Sequence, residues 1–99
     1  MAKIKVVPAS DKMTVEFRGE SFEVDRRALR SVKVLRALAG AGKDADRGYW
    51  AIDKVFCGDL DGVIERLPEE DGTVSDLGAS EDALGALLEF VAAKANAKK

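Results

Sequence analysis

Apolar and polar residues alternate with a period of two over the first quarter of the chain and with a helical period over the rest. Lys3 to Val7 alternates, with Ile4 and Val6 on one side, until Pro8, which cannot donate to a ladder. Ala9 to Lys12 reads as a turn. Met13 to Arg18 places Met13, Val15 and Phe17 on one face, and Ser21 to Val24 returns after Gly19-Glu20. Glycine first in a two-residue loop fits a type II′ hairpin turn. That loop pairs Arg18 with Ser21, Phe17 with Phe22 and Val15 with Val24, so every apolar residue shares one face and Glu16 opposes Glu23 on the other. Phe17 and Phe22 are thereby expected as a buried cross-strand pair. Two strands alone are marginal in water, so helices must cover the apolar face.

Asp25 is a suitable N-cap for a helix from about Arg26 to Ala39. Ala28, Val32, Leu35 and Ala39 repeat at helical spacing as its inner stripe, and Gly40 and Gly42 end it. Asp44 or Asp46 can cap a second helix running to about Cys57, with Tyr49, Ile52, Val55 and Phe56 inward. Gly58 suits the left-handed position after a helix end. Asp59 then caps a short third helix with Leu60, Val63, Ile64 and Leu67 inward, closed by Pro68. Pro68 to Ser80 is acidic and polar, with a turn at Asp71-Gly72, and Val74 and Leu77 are expected to tuck into the body. Ser80 caps the last helix, whose first turn holds Glu81 and Asp82 where the dipole favours anions. Leu84, Leu87, Leu88 and Val91 form its stripe, Gly85 costs about 1 kcal/mol against alanine inside it, and the tail beyond Ala95 is expected to fray. The pattern predicts one α+β domain over residues 1–99. Strands occupy 1–24 as a hairpin or three-stranded meander, about four short helices occupy 25–95, and 96–99 is a frayed tail.

Composition narrows the function. With 46% apolar residues the chain can build one core, and at this size a deep cleft between domains is not available. The net charge of −2 gives no bulk attraction to nucleic acid or anionic lipid. Cys57 is the one cysteine, which together with a charged start, Met-Ala-Lys-Ile-Lys, unlike a secretory leader, leads to the expectation of a reducing, cytoplasmic setting. No apolar run approaches the roughly 20 residues that span a bilayer.

The candidate chemistry is sparse. There is no histidine, which removes the commonest general base and metal ligand. One cysteine does not approach the roughly four ligands of a zinc site. Gly40-Ala41-Gly42-Lys43 is not a phosphate loop, because the motif's first glycine would fall at Ala37, Asp44 replaces the hydroxyl residue, and a helix precedes it. Glu69-Glu70-Asp71-Gly72 is not a calcium loop, because Leu67 and Gly78 would occupy the terminal ligand positions. Carboxylate pairs such as Asp59 and Asp61 are accounted for by capping and surface charge. No catalytic residue, metal site or cofactor is therefore expected, and the reading is of a protein without enzyme activity.

Two features point to binding. Arg26, Arg27, Arg30, Lys33 and Arg36 have no acid among them, and on the expected helix Arg26, Arg30 and Lys33 line up opposite the apolar stripe. Three readings are open: a solvated face that forms intrachain salt bridges to the acidic loop, a docking face for an acidic partner, and a nucleic-acid contact. The overall charge and the lack of interleaved aromatics disfavour the last. Trp50 lies about 100° round its helix from Tyr49, either packed against a neighbouring helix or exposed as an anchor.

The order of elements also resembles a known family. Met13-Thr-Val-Glu-Phe-Arg-Gly-Glu-Ser-Phe-Glu-Val-Asp25 runs a hairpin into a capped helix. An aromatic-led helix then closes in Val55-Phe-Cys-Gly-Asp-Leu-Asp-Gly-Val-Ile-Glu-Arg-Leu67, and a short loop leads to a final amphipathic helix. From Met13 to Ala95 this pattern of hydrophobics, turns and caps is similar to the tail assembly chaperones of long-tailed bacteriophages and prophages. The resemblance implies a small, mostly helical protein without enzyme activity, encoded beside the tape measure protein and keeping it soluble while the tail tube forms. It also implies a longer form made by frameshifting near the gene's end, which Lys98-Lys99 would suit. The arginine-rich segment departs from the acidic character of such proteins. The leading expectation is thus a cytoplasmic chaperone, in a bacterial host, for the tape measure protein or another tail protein. Its partner-binding candidates are Arg26, Arg30, Lys33 and Trp50, it has no membrane partner, and homo-oligomerisation is open. The alternatives are a nucleic-acid-binding regulator and a structural virion or prophage adaptor.

Overall fold

The structure, a computed structural model, describes residues 11–97. The strand expected over Lys3–Val7, and with it the three-stranded alternative, lies outside the described residues. The described fold is α+β: an antiparallel hairpin of β1 (Lys12–Phe17) and β2 (Glu20–Asp25), a single 3₁₀ turn (Ala28–Arg30), then α1 (Val32–Ala39), α2 (Ala45–Val55), α3 (Leu60–Arg66) and α4 (Glu81–Ala97).

The hairpin keeps its expected faces and changes its register. The loop is Arg18-Gly19, with φ of 54° and 84°. Two positive φ values make a type I′ turn, whose twist matches that of the strands. Val15 therefore faces Phe22 and Met13 faces Val24, while Phe17 faces Glu20 instead of Phe22. A partner shift of two residues leaves every side chain on its own face, so periodicity cannot separate these registers. Polar partners can. Glu16 now faces Ser21, and Glu23 faces Thr14 with Lys12 Nζ 3.8 Å away, which removes the Glu16–Glu23 opposition. Arg18 occupies a left-handed conformation that is uncommon outside glycine. Its guanidinium donates to the Pro68 carbonyl at 3.0 Å and lies 4.8 Å from the Phe17 ring centre.

The long first helix expected from Arg26 does not form. Asp25 stays in β2, 7% exposed, and its carboxylate accepts the Arg27 backbone N–H at 2.9 Å and the Arg27 guanidinium at 2.9 and 3.1 Å. That carboxylate caps only the turn leading into the 3₁₀ segment, from which the chain does not continue as an α-helix. After the 3₁₀ turn, Ser31 takes that role, its Oγ accepting from Val34 N at 3.3 Å. The later start rotates the face that packs inward. Val34 and Ala37 are buried, whereas Val32 is 70% exposed, Leu35 is 46% exposed and Ala39 is exposed. Of the expected stripe only Ala28 is inside.

Asp44 caps α2, accepting from Arg47 N at 3.2 Å. Gly48, Ala51, Ile52 and Val55 are buried, but Tyr49 is turned outward. A Cβ on Gly48 would sit 2.5 Å from that of Ala41, so glycine lets the α1–α2 connection close. Gly58 takes its left-handed position with φ of 83°, and Cys57 joins it at 61°. Asp59 holds the N-cap position before α3 but makes no side-chain cap bond, and Asp53 Oδ1 accepts from Leu60 N at 3.0 Å instead. Ser80 caps α4 through Ala83 N at 3.1 Å, and the helix runs to Ala97.

Phe22, Val24, Val55, Phe56, Val63, Leu67, Leu87 and Val91 form the centre of the core. Phe22 meets Phe56 edge-on at 6.4 Å, and half-buried Phe17 meets Phe90 of α4 at 5.1 Å.

Candidate functional site

α4 has one face against this core and a neighbouring face that is only partly covered. Ala83, Leu87 and Val91 are buried, and the adjoining row of Leu84, Leu88, Ala92 and Ala95 borders two hollows. The larger, about 490 Å³, lies between Leu35 and Leu38 of α1, Val55, and Leu88, Ala92 and Ala95 of α4. The smaller, about 320 Å³, lies between Tyr49 and Ile52 of α2 and Leu84, Gly85 and Leu88. Leu88 borders both, so together they follow one face of α4. A Cβ on Gly85 would meet nothing within 4 Å. Packing within the chain thus does not require glycine there, although it leaves room for another backbone to approach. The exposed Val32, Leu35 and Ala39 extend the apolar surface over the outer side of α1. A helix that is apolar on two sides ordinarily has something packed on both.

The charged residues lining the two hollows are Glu81 in the smaller and Glu89 in the larger, and the chain also carries two blocks of like charge. Residues 26–43 hold six cations and no acid, and residues 69–82 hold six acids and no cation. Among the described residues only Arg27 of the first block makes an ion pair, with Asp25, and no ion pair joins the two blocks. Intrachain relief by the acidic loop is therefore not what these cations obtain. Burial pushes the Asp25 carboxyl up, but the Arg27 donors outweigh it and hold it below its usual range.

The four residues singled out from sequence do not form one cluster. Arg26 lies just after β2, half-buried, its backbone N–H on the Asp11 carbonyl and its Nε buried with no hydrogen-bond partner among the described residues. Arg30 ends the 3₁₀ turn, exposed, and Lys33 stands on α1. The alignment of all three on one helix is thus corrected, because the helix begins after two of them. Lys33 and Trp50 do meet, with Nζ 5.2 Å from the ring centre, and Lys54 lies over the same indole at 6.0 Å. Trp50 is half-buried against the core between these lysines rather than projecting as an anchor.

A third hollow, about 380 Å³, lies beside Cys57 and is bordered by Lys12, Glu23, Asp59 and Arg66. Its cations already face acids: Lys12 faces Glu23, and Arg66 faces Glu20 and Asp59. Burial, with Asp25 and Glu23 nearby, pushes the Cys57 thiol up, against thiolate chemistry. Among the described residues no three His, Cys, Asp or Glu side chains cluster as a metal site would need, and no helix is long and apolar enough to cross a membrane.

The groove residues Leu35, Leu88 and Ala92 were not foreseen as a surface. The available signal was Ser31, which as N-cap shifts the helix phase and separates Val34-Ala37-Leu38 from Val32-Leu35-Ala39. The acidic loop likewise shows Val74 and Leu77 outward, Leu77 at 91% exposure, where the sequence suggested burial. No protein-family model, curated protein sequence or solved structure matches this chain.

Proposed function

We propose that this protein is a non-enzymatic binding protein that holds an apolar helix of another protein, and that it serves as a tail assembly chaperone of a phage or prophage, keeping the tape measure protein soluble in the bacterial cytoplasm. The observation that carries the reading is the groove along α4 with the outward Val32 and Leu35 beside it. From Glu81 to Ala95, the α4 residues at its two ends, the groove follows roughly 21 Å of helix. An amphipathic helix of about four turns matches that length, and helix-in-groove recognition supplies the mechanism. The exposed cations of residues 26–43 suit acidic residues of a partner outside the groove itself, whose charged lining residues are Glu81 and Glu89. The resemblance of the element order to tail assembly chaperones supplies the biological setting.

The test is co-expression with fragments of the tape measure protein encoded beside it. Wild type should raise the soluble yield of an apolar helical fragment and co-purify with it. Leu35→Glu should melt near the wild-type temperature, because the side chain is half outside, and lose the fragment. Capture at wild-type yield by a folded Leu35→Glu protein would remove the groove from the account. The unpaired cations also give the regulator reading a footing: a salt-dependent shift of DNA at micromolar protein would favour it. Recovery of the protein in mature particles would mark a structural adaptor instead.

A further inference from the structure

α4 carries a second row beside its apolar one. Glu81, Gly85 and Glu89 follow at intervals of four residues, all exposed, and that spacing puts them on one side of the helix. The two glutamates stand roughly 12 Å apart along the axis. Glu81 borders the hollow against α2 and Glu89 the hollow against α1, and the other described residues that line either one are uncharged. Neither carboxylate has a cation within ion-pair distance among the described residues. The one cation of α4, Lys94, lies over the Phe90 ring with Nζ 5.4 Å from its centre. Gly85, midway between the glutamates, has open space where a Cβ would stand. Glu81 also suits the first turn of the helix, whereas Glu89 at mid-helix gains nothing from the dipole.

We infer that the groove selects a basic amphipathic helix of the partner. Two Lys or Arg side chains on one edge of that helix's apolar face meet Glu81 and Glu89, and a small residue between them faces Gly85. The inference deepens the function proposed above and rests on the groove holding a helix. Positions about seven or eight residues apart on the partner rise by the same distance as the two glutamates. The long stems of Lys and Arg cover apolar surface while their charged heads reach the rim. The same carboxylates disfavour other occupants. α4 of a second copy would bring its own Glu81 and Glu89 against them, the loop of residues 69–82 holds acids and no cation, and nucleic acid would bring phosphates. Selection is then a difference between partners: a helix of equal apolar content with acidic edges meets repulsion where a basic one gains two ion pairs.

Two synthetic helices of about 18 residues test this. They share one apolar face and an alanine between two edge positions about seven residues apart; one carries lysine at both positions and the other glutamate. Fluorescence anisotropy at low salt should show wild type binding the lysine peptide about tenfold more tightly, the scale of two exposed ion pairs. The gap should close at high salt, which screens them. Glu81→Lys with Glu89→Lys, both at exposed positions, should melt near wild type and prefer the glutamate peptide. Glu89→Lys alone keeps the first-turn anion, so it serves if the double variant fails to fold, and it should lose most of the lysine preference. Equal binding of the two peptides, tighter binding of the glutamate peptide, or binding of neither would overturn the inference, as would a folded charge-reversed protein that still prefers lysine. Co-purification of the tape measure fragment is read separately on the same proteins. A fragment captured equally by wild type and the charge-reversed protein leaves the proposed function standing without the inference. A lysine preference that follows the charges, with no fragment captured, leaves only the inference.

Discussion

The corner where the hairpin meets α3 and the side where α1 meets α4 use the same residue types and treat them oppositely. At the corner, Phe22 is fully buried against Phe56, and Arg66 is engaged on every side. Its guanidinium donates to the Ser21 carbonyl at 3.1 Å, lies over the Phe22 ring at 4.9 Å, and faces Asp59 at 3.5 Å and Glu20 at 3.9 Å. On the α1–α4 side, Val32 and Leu35 lie outward, and the cations of α1 have no acid within ion-pair distance among the described residues. Apolar surface and charge that are satisfied within the chain contribute to the fold. The same groups left unsatisfied contribute nothing to folding and remain available for association.

The largest expected effect breaks the comparison directly. Phe22→Ala should cost about 3–5 kcal/mol, the range for emptying a buried aromatic site. Leu35→Ala should cost less than about 1 kcal/mol, since much of that side chain is already in water. Urea titration of both variants gives the difference, and equal losses would mean that the α1 face is core. Phe17, half-buried on Phe90, belongs between them rather than with Phe22, where a Phe17–Phe22 pair would have put it.

Asp25 sharpens the boundary between the two regions, because it ends the hairpin and holds Arg27 away from the cationic block. Its folded carboxyl is held below the ordinary range. Its contribution is therefore complete above the unfolded value, about 3.9, and is lost as pH falls below that towards the folded value. Asp25→Asn should destabilise by about 1–2 kcal/mol at neutral pH, the scale of a lost charge-assisted hydrogen bond. It should also flatten the acid limb of the stability profile below pH about 4. Thermal melts at stepped pH would show it, and an unchanged acid limb would take Asp25 out of the account.

The smallest effect has the opposite sign. Gly85→Ala should stabilise by about 0.5–1 kcal/mol, since it relieves the cost of glycine within a helix and the added methyl meets nothing. If the groove receives another backbone, the same change should weaken that association. A variant that is more stable and associates just as well would mean that Gly85 has no part in docking.

The elements themselves were legible along the chain. Period-two alternation identified the hairpin and its inner face, and Asp44, Gly58 and Ser80 marked ends that the structure keeps, because each acts through its own neighbouring backbone. The candidate site was legible only in part. The lack of acid between Arg26 and Lys43 was visible, but its geometry was not. Tertiary structure decided the rest. The hairpin register depended on cross-strand partners and on a type I′ turn at Arg18-Gly19, since a shift of two residues leaves the hydrophobic pattern unchanged. The phase of α1 depended on where the helix begins. With a 3₁₀ turn at Ala28–Arg30 and Ser31 as the cap, Val32 and Leu35 lie at the surface instead of in the core. Whether the basic and acidic blocks meet depended on distance in the folded chain. Complementary charge in a sequence predicts attraction, but ion pairing needs proximity that only the packing of α1, α3 and α4 sets, and that packing leaves the two blocks unpaired.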